Sequence, residues 1–134
     1  MIQHKHLVLR ARIQSPPKPI HRLKTELWVK QFVKDNKMEI QEEPRASYVT
    51  DKTNRGMTCC CLIKTSHIAF HVWDEVDPAL LQFDFYTCGK LDAYRVLKSV
   101  DRNFNFISYE YMILDRENNI EVHNLAMSLN NEQT

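Results

Sequence analysis

Thr65-Ser66-His67-Ile68-Ala69-Phe70-His71-Val72-Trp73-Asp74-Glu75, followed after a short gap by Phe83-Asp84-Phe85-Tyr86-Thr87-Cys88-Gly89, is the stretch on which the fold turns. From Ser66 every second residue runs Ser66, Ile68, Phe70, Val72, and the opposite parity runs His67, Ala69, His71, Trp73. Alternation of this kind is the mark of an extended strand with one face toward a core. In the second segment Leu81, Phe83 and Phe85 take one parity, and Leu80, Gln82, Asp84, Tyr86 and Cys88 the other. In the first strand one parity reads as core and the other carries His71, the way a sheet presents polar groups to a site while anchored from behind.

Outward from this centre, residues 57–64 (Met-Thr-Cys-Cys-Cys-Leu-Ile-Lys) form a continuous apolar run, which predicts a central strand. Residues 51–56 read as a polar turn ending at Gly56, and 38–40 and 46–49 as short strands separated by Glu42-Glu43-Pro44. Residues 4–13 alternate as a first strand, stopped by Ser15-Pro16-Pro17-Lys18-Pro19, where proline cannot continue a ladder and favours a helix start. From Ile20, apolar residues at Leu23, Leu27, Trp28, Phe32 and Val33 predict a helix closing near residue 35. A second amphipathic helix is expected over 91–104, with Tyr94, Leu97 and Val100, together with Val96 and Phe104, on its apolar side. Residues 106–114 and 120–125 read as strands joined by a turn at 115–119, and 128–134 as a polar, frayed end. Two one-sided helices and strands joined by short turns imply an α+β two-layer sandwich, an antiparallel sheet with two helices on one face.

At 134 residues the chain is the size of one domain, 1–134, with a composition ordinary for a globular protein: 43% hydrophobic and 26% charged. A net charge of +1 without a basic run gives no electrostatic footprint for nucleic acid or a membrane surface, so the partners expected are small molecules or proteins. Residues 1–12 lack a secretory h-region, since Arg10 and Arg12 interrupt the apolar core, and no run reaches the length of a membrane span. A cytoplasmic location is the expectation. Cys59, Cys60 and Cys61 are consecutive and cannot form an ordinary disulfide framework. Zinc held by Cys60 with Cys88, His67 or His71 is disfavoured because no Cys-x-x-Cys or comparable spacing accompanies them, and no metal is expected.

Read singly, these residues have bland explanations: His71 a satisfied strand histidine, Cys88 a small buried hydrophobe, Ser66 a turn residue, Asp74-Glu75 a solvated turn. Ser66 and His71 also fall on opposite parities of a regular strand, so direct contact between them would need a bulge or bend. In combination the residues say more. Ser66 to Glu75, with Phe83 to Gly89, resembles the signature of the prokaryotic-type S-adenosylmethionine decarboxylases, the pyruvoyl-dependent enzymes of spermidine synthesis. That pattern runs Glu-Ser-His-Ile-Ser-Ile-His-Thr-Trp-Pro-Glu, a gap, then Asp-x-Phe/Tyr-Thr-Cys-Gly. The dense match covers residues 56–89, and the remainder agrees more loosely.

The resemblance implies a self-cleaving chain. Ser66 would attack the carbonyl carbon of Thr65, and β-elimination would then yield a β chain, 1–65, and an α chain, 66–134, beginning with a covalent pyruvoyl group derived from Ser66. His71 matches the histidine that removes the ester's α-proton, and Thr58, eight residues before Ser66, stands where the family usually has a serine that assists processing. The pyruvoyl group would join the amine of S-adenosylmethionine as a Schiff base, with Cys88 returning a proton after decarboxylation and Glu75 at the substrate site. The family also implies a homodimer of four layers, αββα, with sites built from both protomers. Three departures stand out: Thr65 for the usual glutamate, Asp74 for proline, and Thr53-Asn54-Arg55-Gly56 for a Phe-x-Pro-x-Gly lead-in. They leave open two alternatives, namely the same prosthetic group acting on arginine or ornithine, or an unprocessed, non-catalytic homologue serving as a partner subunit.

Overall fold

The computed structural model describes residues 3–128. Seven strands, β1 (Lys5–Ile13), β2 (Arg45–Val49), β3 (Gly56–Ile63), β4 (Ser66–Trp73), β5 (Ala79–Thr87), β6 (Phe106–Asp115) and β7 (Glu121–Ser128), form one sheet in the order β2-β3-β4-β5-β1-β6-β7. Every neighbouring pair is antiparallel. Two helices, α1 (Arg22–Asp35) and α2 (Ala93–Phe104), cover one face. The α+β reading of the sequence thus holds.

The period-two pattern places the core. Leu7, Leu9, Ala11 and Ile13 of β1, Ile68, Phe70 and Val72 of β4, and Leu81, Phe83 and Phe85 of β5 are all buried beneath the helices. The indole of Trp28 closes this layer from α1, its centroid 5.2 Å from the Phe104 ring and 5.8 Å from that of Phe70. Edge-to-face geometry between such rings adds to the area they bury.

Three expectations about faces are corrected. In α1 the buried row is Thr25, Val29, Phe32 and Val33, whereas Leu23 and Leu27 are 61% and 64% exposed. At 100° per residue Leu23 lies about 200° from Thr25, so the apolar residues form two stripes, and the sheet covers the one that carries Phe32, with Trp28 packed beside it. In α2, Val96, Ser99, Val100 and Phe104 face inward while Tyr94 is 73% exposed. That helix begins at Ala93, two residues later than its apolar spacing suggests, because the Asp92 carboxylate caps it by accepting from the Arg95 N–H at 3.2 Å. Lastly, β3 is second from the edge, and although Met57, Cys59, Cys61 and Ile63 are buried, Cys60 and Leu62 are exposed. An uninterrupted apolar run suggests two covered faces, yet here no element among the described residues covers the second.

No described helix is long and apolar enough to cross a membrane.

Candidate functional site

The open face carries the polar parity of the strands, and ladder register sorts its residues into rows. Thr58, His71, Gln82, Arg10 and Glu110 are successive partners across β3, β4, β5, β1 and β6. The next row is Cys60, Ala69, Asp84, Val8 and Met112, and the one after that includes Leu62, His67, Tyr86 and His6. The first two rows floor a trough of about 640 Å³, with the Trp73 side at one end. Thr58 and His71 line it, while Ser66 and Cys88 do not.

Ser66 opens β4 directly after the Lys64-Thr65 turn that joins it to β3. Its φ of 148° is one that L residues rarely adopt, a conformation that costs on the order of 1–3 kcal/mol. The turn is held from several sides. The Cys88 N–H donates to the Thr65 carbonyl at 2.9 Å, the Thr87 hydroxyl donates to Thr65 Oγ1 at 2.9 Å, and the Gly89 N–H donates to Thr87 Oγ1 at 2.9 Å. Thr65 Oγ1 also reaches the Met38 sulfur at 3.5 Å. The β-branched Thr65 side chain is therefore drawn to the Thr87 and Met38 side, leaving its carbonyl aligned with the Cys88 amide. Ser66 Oγ lies 3.1 Å from Nδ1 of His67.

A second cluster stands at the far end of β4. No register shift interrupts β4 against either neighbour, so Ser66 and His71 are five regular residues apart, about 16 Å. One chain does not bring them together. His71 pairs in register with Thr58, and Thr58 Oγ1 contacts the Phe70 carbonyl oxygen at 3.4 Å. The Asn54 carbonyl can only accept, so His71 Nε2, 3.0 Å away, donates to it, and in the neutral ring Nδ1 is left as the basic nitrogen. Trp73 Nε1 donates to Asn54 Oδ1 at 3.1 Å, and the His71 and Trp73 rings meet at 4.4 Å. Asp74 accepts from Arg55 Nε at 2.8 Å and from the Tyr48 hydroxyl at 2.5 Å. Burial, followed by the hydrogen bond to Asp74, raises the Tyr48 pKa above its ordinary value. Glu75 is exposed and accepts from the Arg55 N–H at 3.3 Å.

Of the four cysteines, Cys59 and Cys61 are packing residues: burial pushes their thiols up to about 12 and about 11. Cys88 is half-buried beside the Thr65 carbonyl. Among the described residues no group of three or more His, Cys, Asp or Glu is placed to hold a metal ion. Sequence reasoning missed Asn54, which fixes both His71 and Trp73, and it missed the Cys88 amide, because a backbone donor has no letter of its own. It also passed over Asp84 and His6, whose proximity to His67 follows only once β4, β5 and β1 are known to be neighbours.

A solved structure described as the crystal structure of the adenosylmethionine decarboxylase from Aquifex aeolicus VF5 shares this fold with a TM-score of 0.68. It is 20% identical, and the match covers 92% of this chain and 96% of that one. No curated protein matches the chain. A family profile described as S-adenosylmethionine decarboxylase matches residues 19–117, a span that holds both clusters and most of the sheet. The chain belongs to the S-adenosylmethionine decarboxylase family.

Proposed function

We propose that the chain is a self-processing, pyruvoyl-dependent decarboxylase of S-adenosylmethionine, working as a cytoplasmic homodimer and supplying decarboxylated S-adenosylmethionine for spermidine synthesis. The observation that carries the reading is the conjunction at one peptide bond: Ser66 with a φ of 148° directly after a Thr65 carbonyl that accepts the Cys88 N–H at 2.9 Å. An N-to-O acyl shift asks for both features. Strain in the peptide is relieved when it becomes an ester, and an amide donor stabilises the oxygen that gains charge as Ser66 Oγ adds.

The residues fit a pyruvoyl group at position 66. Such a group supplies an electron-withdrawing carbonyl that takes up the negative charge left on the substrate's α-carbon as carbon dioxide departs. Around that position Cys88 is half-buried and its backbone N–H is bonded to the reacting peptide, and its thiol is the group that would deliver a proton to that carbon. His71 uses Nδ1 to remove the ester's α-proton, with Thr58 assisting. Because both lie about 16 Å along the sheet from Ser66 of their own chain, they act on Ser66 of a second copy. Two open faces packed together make the four-layer αββα arrangement, cover the trough and bring each His71 cluster toward the other copy's hairpin. Glu75, exposed beside that cluster, offers a negative charge to the substrate's sulfonium.

The test is an intact-mass spectrum of the purified protein after prolonged incubation, beside a Ser66→Ala control. Fragments 1–65 and 66–134, the second with a pyruvoyl-sized mass change and both absent from the control, support the reading. A single uncut mass overturns it and favours the non-catalytic partner subunit.

A further inference from the structure

Self-processing on this scheme needs a base for its first step, and the ring nitrogen that lies against Ser66 Oγ within the chain, at 3.1 Å, is Nδ1 of His67. We propose that His67 is that base, held in its working tautomer by Asp84, with His6 and Arg116 positioning Asp84. The inference rests on the self-processing reading above.

The hydrogen-bond directions around Asp84 leave one consistent assignment. Arg116 has only donors, and its Nη1 lies 3.3 Å from His6 Nδ1, so that nitrogen accepts and the His6 proton sits on Nε2. From Nε2, His6 donates to Asp84 Oδ1 at 3.2 Å. Arg116 is itself seated over the Tyr86 ring, 4.1 Å from its centroid, and its backbone N–H donates to the His4 carbonyl at 2.8 Å. Asp84 is thereby fixed on the open face, and the same Oδ1 lies 3.7 Å from Nε2 of His67. A carboxylate there favours the tautomer with the proton on Nε2, which leaves Nδ1 of His67 as an acceptor 3.1 Å from Ser66 Oγ. Serine, imidazole and carboxylate thus form a line, with the imidazole oriented from behind by the carboxylate. The 3.7 Å gap is long for a hydrogen bond and suits a contact that shortens when the ring becomes charged.

The step balances within the chain. Ser66 Oγ adds to the Thr65 carbonyl carbon while His67 Nδ1 takes the hydroxyl proton. The Oγ–C bond forms, the C–N bond between Thr65 and Ser66 breaks, and the departing nitrogen receives that proton from His67. The Cys88 N–H holds the Thr65 oxygen throughout. His71 of a second copy then acts on the ester, so two histidines of the motif divide the two proton transfers between the chains.

The His67 side chain is 44% exposed, so its replacement leaves the core intact. The wild type, His67→Ala and His67→Gln are incubated and cleavage at Thr65/Ser66 is followed by mass. In parallel, hydroxylamine, which cuts esters, is applied to His71→Ala and to the His67→Gln, His71→Ala double variant. The expected result is cleavage slowed about 100-fold or more in both His67 variants, partial rescue of His67→Ala by added imidazole, and hydroxylamine cutting of His71→Ala but not of the double variant. Asp84→Asn slows cleavage about tenfold, and Asp84→Glu restores part of it. Equal cleavage rates in the wild type and both His67 variants overturn the role of His67 alone. An uncut wild type removes the self-processing reading and this inference with it.

Discussion

The backbone N–H of Cys88 and the carbonyl oxygen of Thr65 are joined by a 2.9 Å hydrogen bond that ties the end of β5 to the β3–β4 turn. On the proposed function Cys88 would serve the reacting peptide through its amide and the later chemistry through its thiol. Substitution separates the two. Cys88→Ala keeps the amide, so chain cleavage stays within about twofold of wild type while release of carbon dioxide from S-adenosylmethionine falls about 10²- to 10⁴-fold. Cys88→Pro removes the donor and slows cleavage itself about 10²- to 10³-fold. Fragment mass and carbon dioxide release, read on the same samples, check both.

Asp74, where the family pattern has proline, makes three bonds through its N–H and its carboxylate: the N–H donates to the Arg55 carbonyl at 3.1 Å, and the carboxylate accepts from Arg55 and Tyr48. Restoring the family residue, Asp74→Pro, deletes all of them and leaves the half-buried Tyr48 hydroxyl without this acceptor. Thermal unfolding is expected to register a loss of about 2–3 kcal/mol. Adding Tyr48→Phe costs less in the Asp74→Pro background than in the wild type, and a double-mutant cycle measures the difference.

Much of this was legible in the letters because sheets translate sequence parity into faces. Ile68, Phe70 and Val72 against His67, Ala69 and His71 fixed both which side of β4 is core and that His71 stands on the open side. The expectation that Ser66 and His71 need a bulge to meet led to a physical result: the strand has none, and the two lie at opposite ends. Legibility failed where one local pattern admits two outcomes. The helix at Leu23 to Val33 carries two apolar stripes, and only packing against the sheet distinguishes the buried one. The apolar run of β3 gives no hint that one of its faces is open. Asp84, His6 and His67 come together through strand order, which local periodicity does not encode.

Gly56 opens β3 with a φ of 142°, and a Cβ built there would stand 1.7 Å from the Val72 carbonyl oxygen. Gly56→Ala combines a backbone clash with a disfavoured conformation. It is expected to destabilise the fold by about 3 kcal/mol or more, read as a shift in the urea midpoint. Because Asn54 sits two residues earlier, the same variant also disturbs the turn that holds His71.

Cys59 and Cys61 predict an alkaline limit. Both thiols are raised by burial, to about 12 and about 11, from an ordinary value of 9.0. Below pH 9 folded and unfolded chains keep these protons alike. As pH rises from 9 toward 11 the unfolded chain releases them and the folded chain does not, so stability falls, by at most about 1.4 kcal/mol per pH unit for each thiol. Urea unfolding at pH 8 and pH 10.5 measures the loss, and Cys59→Ala shrinks its pH-dependent part. At pH 8 iodoacetamide labels the exposed Cys60 and spares Cys59 and Cys61.

The strand order β2-β3-β4-β5-β1-β6-β7 decides what a break between Thr65 and Ser66 can do. The first piece keeps β1, β2 and β3, and the second keeps β4 to β7, so β1 is hemmed in by strands of the second piece on both sides. Neither piece can leave without unzipping β1 from β5 and β6 and parting β3 from β4. Such a nick would be mechanically silent, and the two polypeptides would travel as one body. Separated and denatured, they would have to thread β1 back between partners it no longer shares a chain with, which makes folding first and cutting afterwards the economical order of assembly.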